Sequence, residues 1–240
     1  MKNRSTIILF TVFLILSFQS FAQSLKGNGN VVEKKYEVAS FEKLSIDGVF
    51  NTWIKQGNEN LVTVETDENL IATIEIVEQN NELIVRSKKK TNIKKTTKMN
   101  VYITLTEVEN VNIAGVGNVK CDTPLNLNKL NLKVSSVGNT SINLNCAKLT
   151  GEFTGVGNIN FEGAAESANL KISGTGNLDA LDFEVEDLVV NNSSIGNVKI
   201  YASKTLEINS SGIGNLQYKG DAELKNFDIS GIGKVKKLKE

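Results

Sequence analysis

The chain has 240 residues, with 27 basic and 27 acidic side chains, 40% hydrophobic positions and 22% charged ones, a balance that allows a folded core and gives no excess charge to attract nucleic acid. It contains no His and only two Cys, Cys121 and Cys146, which excludes imidazole-based triads, zinc fingers and disulfide-dense scaffolds. Thirty Asn and 19 Gly among frequent Val and Ile disfavour helical bundles, and a single Pro leaves the turns to Gly and Asn.

Met1-Lys2-Asn3-Arg4, an apolar run over residues 7–16 and Ser20-Phe21-Ala22-Gln23 have the charged, apolar and small-residue sections of a secretory signal. Cleavage after Ala22 predicts a signal peptide, 1–22, and a mature chain, 23–240. The apolar run falls short of the ~20 residues of a membrane-spanning helix. No Cys follows the cut to carry a lipid, and no other stretch is apolar enough to span a bilayer. Loss of Lys2 and Arg4 leaves 25 basic against 27 acidic residues, a net charge of −2. The expected location is the periplasm, the cell surface or the medium.

Residues 31–105 hold strand-like runs at 44–54, 61–65, 72–77, 83–86 and 99–105. No Pro-, Gly- or Ser-rich linker separates them from residues 106–240, so 23–240 reads as one domain, with 31–105 as irregular N-terminal coils and 106–240 as regular repeats. Trp53, the only Trp, is expected in the cap or the core. Lys88, Lys89, Lys90, Lys94, Lys95 and Lys98 form the strongest charge run, a solvated loop and a candidate anion-binding patch.

In the second half a four-residue word returns seven times: Gly115-Val116-Gly117-Asn118, Ser136-Val137-Gly138-Asn139, Gly155-Val156-Gly157-Asn158, Gly174-Thr175-Gly176-Asn177, Ser194-Ile195-Gly196-Asn197, Gly212-Ile213-Gly214-Asn215 and Gly231-Ile232-Gly233-Lys234. Third-position glycines are 21, 19, 19, 20, 18 and 19 residues apart. Between words, apolar residues alternate with polar ones, as in Leu130, Leu132 and Val134 or Ile142 and Leu144, which is the period of a strand. A unit of 19–20 residues cannot bury its own apolar face and must stack on its neighbours. The period is too short for two strands plus a helix of three turns, and the L-x-x-L-x-L spacing of leucine-rich repeats is missing. The expected fold is all-β, a parallel β-helix-like solenoid.

Within the word, the third Gly is expected to adopt a backbone conformation closed to branched residues or to let adjacent coils approach. The second residue (Val116, Val137, Val156, Thr175, Ile195, Ile213, Ile232) is expected to point inward and fill the corner. The asparagines are expected to bond coil to coil; the alternative is an exposed row for sugar hydroxyls. The acidic strand Asp182, Glu184, Glu186 and Asp187, with Phe183 and Val185 turned inward, offers too few converging oxygens for calcium, so no metal is predicted. Lys234, Lys236, Lys237 and Lys239 are expected to discourage edge-to-edge growth. Cys121 and Cys146 lie at different offsets in neighbouring coils and read as two small buried residues rather than a pair.

These words, with Phe41-Glu42-Lys43-Leu44-Ser45-Ile46-Asp47-Gly48-Val49-Phe50 upstream, resemble the auto-transporter adhesin family with the head GIN domain, and the resemblance covers essentially the whole mature chain. It implies a right-handed β-helix-like fold in exported bacterial envelope proteins and supplies no active-site residues. Lys234 departs from the pattern where Asn is expected, and no membrane barrel or anchor is visible after Glu240. The functional expectation is a non-catalytic exported β-solenoid that binds an envelope or extracellular partner, protein or glycan, as an adhesin would. The alternative is a periplasmic scaffold or sensory partner. A carbohydrate-active enzyme on a β-helix is less favoured, since the mature chain has no His and only Arg86 as a guanidinium. No catalytic, cofactor-binding or metal residue is assigned, and no cofactor is expected.

Overall fold

Extended backbone dominates, with 70% of the described residues in strands and 3% in helix, wound into a β-solenoid of about seven turns. A computed structural model describes residues 24–239; the expected signal peptide lies outside them. The N-terminal strands are β1 (Ser24–Lys26), β2 (Val31–Glu37), β3 (Lys43–Val49), β4 (Asn51–Gln56) and β5 (Leu61–Asp67), followed by a 3-10 helix (Glu68–Thr73). Next come β6 (Ile74–Gln79), β7 (Glu82–Ser87), β8 (Asn92–Lys95), β9 (Met99–Leu105) and β10 (Asn110–Val116). One long bent strand then forms each turn: β11 (Val119–Val134), β12 (Thr140–Phe153), β13 (Ile159–Ile172), β14 (Leu178–Asn192) and β15 (Val198–Ser210). The next turn is divided into β16 (Leu216–Lys219) and β17 (Glu223–Ile229), and β18 (Val235–Lys237) stacks on β16 as the start of a further one.

The side-chain pattern shows where each long strand bends. In β12, Ile142, Leu144 and Cys146 are buried, the alternation slips at Ala147-Lys148, and burial resumes at Leu149, Gly151 and Phe153. That slip is one corner of the turn, and the word Ser136-Val137-Gly138-Asn139 is another. Accordingly, the first part of β11 pairs with β4 and its last part with β10. Equivalent strands are parallel and in register, Leu149 with Leu130 and Ala168 for example.

The sequence of the N-terminal part follows the winding only in part. Strand β7 stacks parallel on β3, and β9 parallel on β4. Strands β6, β5 and β2 then run antiparallel to their neighbours and close the two faces. The 3-10 helix crosses from β5 to β6, where Leu70 is fully buried and Thr73 Oγ1 donates to the Leu70 carbonyl at 2.6 Å. The run expected over 72–77 therefore starts as helix and becomes strand only at Ile74. Trp53 neither caps nor fills the core: it lies between buried Thr52 and Ile54, so the strand's alternation turns it outward.

Asp67 ties this end together. Its Oδ1 accepts from Gly29 N at 2.7 Å and from Thr97 Oγ1 at 2.9 Å; its Oδ2 accepts from Thr97 N at 2.7 Å and Thr96 Oγ1 at 2.9 Å. The Thr97 backbone bond, with the Gly29 backbone bond and the Thr96 and Thr97 side-chain bonds behind it, lowers the carboxyl from 3.8 to about 2 against the opposing effect of burial. A depressed carboxyl contributes stability that is complete above its unfolded value and is lost as pH falls through the folded one. Protection of the amides in 24–30 and 92–98 against exchange, relative to their intrinsic rates, should therefore fall between pH 4 and pH 2. In Asp67→Asn that protection should already be low at pH 5 and change little with acid.

The core centres on Phe153, Phe161 and Phe183, each about 1% exposed, with ring centroids 5.7 Å apart for the first pair and 5.4 Å for the second. Gly151 makes room for this cluster: a Cβ there would lie 2.8 Å from the Phe153 ring. At the other end, Leu224 and Phe227 are in register with buried Leu206 and Ile208 yet 44% and 47% exposed. Cys121 and Cys146 are both free and buried, and burial pushes each thiol up to about 11. Cys146 stands beside Leu127 and Cys121 beside Ile142, on separate columns of the stack.

Candidate functional site

The seven words stack as one corner of the solenoid. Val116, Val137, Val156, Thr175, Ile195, Ile213 and Ile232 form a continuous series of parallel bridges, and Val49 extends it below Val116. An eighth, divergent word is thereby revealed, Gly48-Val49-Phe50-Asn51. Its signal in the sequence was the Gly-Val-x-Asn frame; Phe in the glycine position hid it. Gly117 is the residue stacked on Phe50: a Cβ at Gly117 would lie 2.7 Å from the Phe50 carbonyl carbon.

The third-position glycines have φ between +138° and +148° at Gly117, Gly138, Gly157, Gly176, Gly196, Gly214 and Gly233, a region that side chains with a Cβ rarely occupy. Space imposes the same restriction. A Cβ on Gly157 would collide with the carbonyl oxygen of Gly138 and lie 2.6 Å from its carbon. Close approach lets the backbone ladder continue round the bend, with Gly138 N donating to Val156 O and Val156 N to Ser136 O, both at 2.9 Å.

The asparagines bond differently from a simple amide-to-amide stack. Each Oδ1 accepts the next turn's backbone N–H, from Asn51 to Asn118 (3.0 Å), Asn118 to Asn139 (2.9 Å), Asn139 to Asn158 (3.0 Å) and Asn158 to Asn177 (3.1 Å). The series continues through Asn197 (2.9 Å) and Asn215 (3.0 Å) to Lys234 (3.1 Å). Amide-to-amide bonds add to it only at Asn177 and Asn197 among the described residues. At Lys234 the bond needs only a backbone N–H, which any residue but Pro supplies.

The aliphatic second position contradicts the inward reading. Val116, Val137, Val156, Ile195 and Ile213 are 49–53% exposed and Ile232 is 73% exposed; Thr175 is exposed as well. The reason is that the period-two alternation of the flanking strands passes through the word unbroken. Val134, Ser136, Thr140 and Ile142 are buried, so Val137 must face out. The inner third position, where backbones touch, has no room for a side chain.

Three exposed ladders thus run side by side along the corner. Ser135, Thr154, Ser173, Ser193, Ser211 and Ser230 supply hydroxyls, the second positions supply methyls, and the asparagines supply amides. No charged side chain interrupts the ridge between Val116 and Asn215. At ~4.8 Å per turn it is ~34 Å long from Val49 to Ile232.

The lysines are less of a unit than their spacing implies. Lys88, Lys89 and Lys90 are exposed after β7; Lys94 and Lys95 belong to β8, which pairs parallel with β1 and sets Lys95 opposite Lys26. Lys98 Nζ is bound to Glu65 Oε1 at 2.6 Å. Glu65 also accepts at Oε2 from Asn100 Nδ2 and Tyr102 Oη, both at 2.9 Å. Lys98 chiefly, with Asn100 and Tyr102, lowers the Glu65 carboxyl against the effect of burial. On the acidic strand, Phe183 and Val185 are buried, Glu186 accepts from Lys204 Nζ at 2.6 Å and Asp187 from Thr205 Oγ1 at 2.6 Å. Among the described residues no three His, Cys, Asp or Glu side chains converge as a metal site would require. Nor is any helix among them long and apolar enough to cross a membrane.

A solenoid built on a repeated corner word, with an uncharged ridge along that corner, defines the class of this molecule. Residues 40–222 match the family model described as "Putative auto-transporter adhesin, head GIN domain", and the chain belongs to that family. Among solved structures, a putative adhesin from Bacteroides fragilis NCTC 9343 is 25% identical with a TM-score of 0.86, over 90% of this chain and 100% of its own. A putative adhesin from Parabacteroides merdae ATCC 43184 is 26% identical with a TM-score of 0.64, over 90% and 99%. A putative lipid binding protein from Parabacteroides distasonis ATCC 8503 shares the fold at 20% identity and a TM-score of 0.68, over 90% and 100%. No curated protein matches the chain.

Proposed function

We propose that the chain is an exported, non-catalytic binding protein of the cell envelope, an adhesin, and that residues 23–240 act as one unit presenting the corner ridge to an envelope or extracellular partner. The observation that carries this reading is the outward row of branched aliphatic side chains. A row of methyls repeated turn after turn in water contributes little to the fold, whereas contiguous exposed apolar surface is what a contact surface requires. The residues that could do chemistry support the non-catalytic part. Arg86 is held by Glu75 at 2.9 Å, and both thiols are buried and protonated at neutral pH.

Binding of the purified protein to intact bacterial and host cells tests the proposal, alongside a variant carrying Val137→Lys, Val156→Lys and Ile195→Lys. The expected result is saturable binding that the triple variant loses by about tenfold or more, with its melting temperature retained. Equal binding by both proteins rejects the ridge as the contact surface. Binding confined to proteins of the producing cell's own envelope replaces adhesion with a periplasmic scaffold.

A further inference from the structure

The first spacing between words, 21 residues, has a local structural cause. Strand β11 pairs with β12 at Cys121 and Ile142, then again at Leu125 and Leu144. Three residues of β11 therefore face one of β12, and Asp122, Thr123 and Pro124, the chain's only Pro, bulge outward and are exposed. The bulge stands beside the one place among the described residues where the outer sheet surface carries stacked large aromatics. Trp53 of β4 and Tyr102 of β9 are cross-strand neighbours with ring centroids 5.0 Å apart and planes 24° from parallel. Together with Glu33 and Lys35 of β2 on the far side, they line a groove of about 470 Å³. This volume lies within the range of small-ligand sites.

The groove is organised before any ligand arrives. Tyr102 Oη donates to Glu65, which is itself 9% exposed and fixed by Lys98 and Asn100. The phenol ring is thereby locked, and Trp53 rests on it. The rim is polar and of both signs: Glu33 and Asp122 are anionic, Lys35 and Lys55 cationic, all four exposed. Among the described residues none of the four is in an ion pair.

This combination selects a ligand chemistry. An aromatic face is electron-rich and favours polarised C–H groups laid against it. Carboxylates at the rim accept hydrogen bonds and ammoniums donate them. A sugar ring offers C–H groups on its faces and hydroxyls that donate and accept around its edge. A quaternary ammonium would meet Lys35 and Lys55, an acyl chain would strip water from four charges, and a polyanion would gain nothing from a rim of zero net charge. We infer that the groove over Trp53 and Tyr102 is a carbohydrate-binding site for a neutral pyranose ring, stacked on the aromatic pair and hydrogen-bonded through its hydroxyls to Glu33, Lys35, Lys55 and Asp122. The inference goes beyond the ridge, lies on a sheet face rather than the corner, and does not require the ridge to bind anything.

Because Trp53 is the only Trp, its fluorescence reports on this groove alone. The purified protein, Trp53→Ala and Asp122→Ala are applied to an array of neutral glycans, and the unsubstituted protein and Asp122→Ala are titrated with chitohexaose, cellohexaose and mannohexaose by tryptophan emission. The expected result is glycan binding on the array, a saturable emission change with at least one hexaose, a loss of about tenfold or more in Trp53→Ala and a severalfold loss in Asp122→Ala. Asp122 is exposed on a bulge, so its variant keeps the test valid if removal of Trp53 disturbs the sheet. The ridge triple variant should titrate like the unsubstituted protein, which separates failure of this site from failure of the adhesin reading. An empty array, flat titrations with all three sugars, or array binding unchanged in both groove variants overturns the inference. So does Trp53-dependent capture of an aromatic peptide with no glycan bound.

Discussion

Gly157→Val should lower stability by about 4 kcal/mol or more, at the upper end of single substitutions, and depress the melting temperature by roughly 10 °C for a chain of this size. Two independent costs combine. The backbone at Gly157 sits at φ +142°, where a β-branched residue is strained. A Cβ there also runs into the Gly138 carbonyl of the turn below, which is backbone and cannot swing aside. Relief requires the turns to separate, and separation breaks the bonds from Gly138 N to Val156 O and from Asn158 N to Asn139 Oδ1. Thermal denaturation of the variant decides the matter, and an unchanged melting temperature defeats this account of the corner. The adjacent position gives an internal control. Val156 is 51% exposed, so Val156→Ser should stay within about 0.5 kcal/mol; a large loss there would restore the inward reading that the structure contradicts.

Phe161→Ala should cost about 3–5 kcal/mol, the usual range for removing a buried aromatic. Phe161 is 1% exposed and stands between Phe153 and Phe183, so its loss opens a void and strips both neighbours of their ring contact. Phe161→Leu should recover most of the loss because it keeps much of the volume. In a solenoid each turn leans chiefly on its neighbours. Amide exchange should therefore rise first in β12, β13 and β14, while β4 and β9 at the N-terminal end stay protected. Uniform acceleration along the chain would show instead that the turns unfold together.

Residues that recur at a fixed spacing were legible because each turn repeats the same local problem. The period, the strand character, the stacking and the burial of Phe183 and Val185 all follow from alternation and from units too small to fold alone. Parity could also have placed the ridge: Leu130, Leu132, Val134, Ile142 and Leu144 are all even, so Val137 falls on the outer face. Hydrophobicity outweighed that parity in the expectation, although an exposed Val is compatible with a folded surface. The divergent word at Gly48 was hidden by one substitution.

What the chain determines by itself is the repeating part, since parallel, in-register stacking satisfies every turn with the same pattern of apolar, glycine and asparagine positions. What tertiary structure decided is the irregular end. Trp53 and Tyr102 meet because β9 stacks parallel on β4, and Glu65 reaches Lys98 because β5 runs antiparallel to β9. Strand direction and register between segments far apart in the chain are set by pairing, and local alternation is compatible with more than one pairing. The bulge at Asp122 was visible only as two extra residues in a spacing; the groove it borders exists only once those strands are side by side.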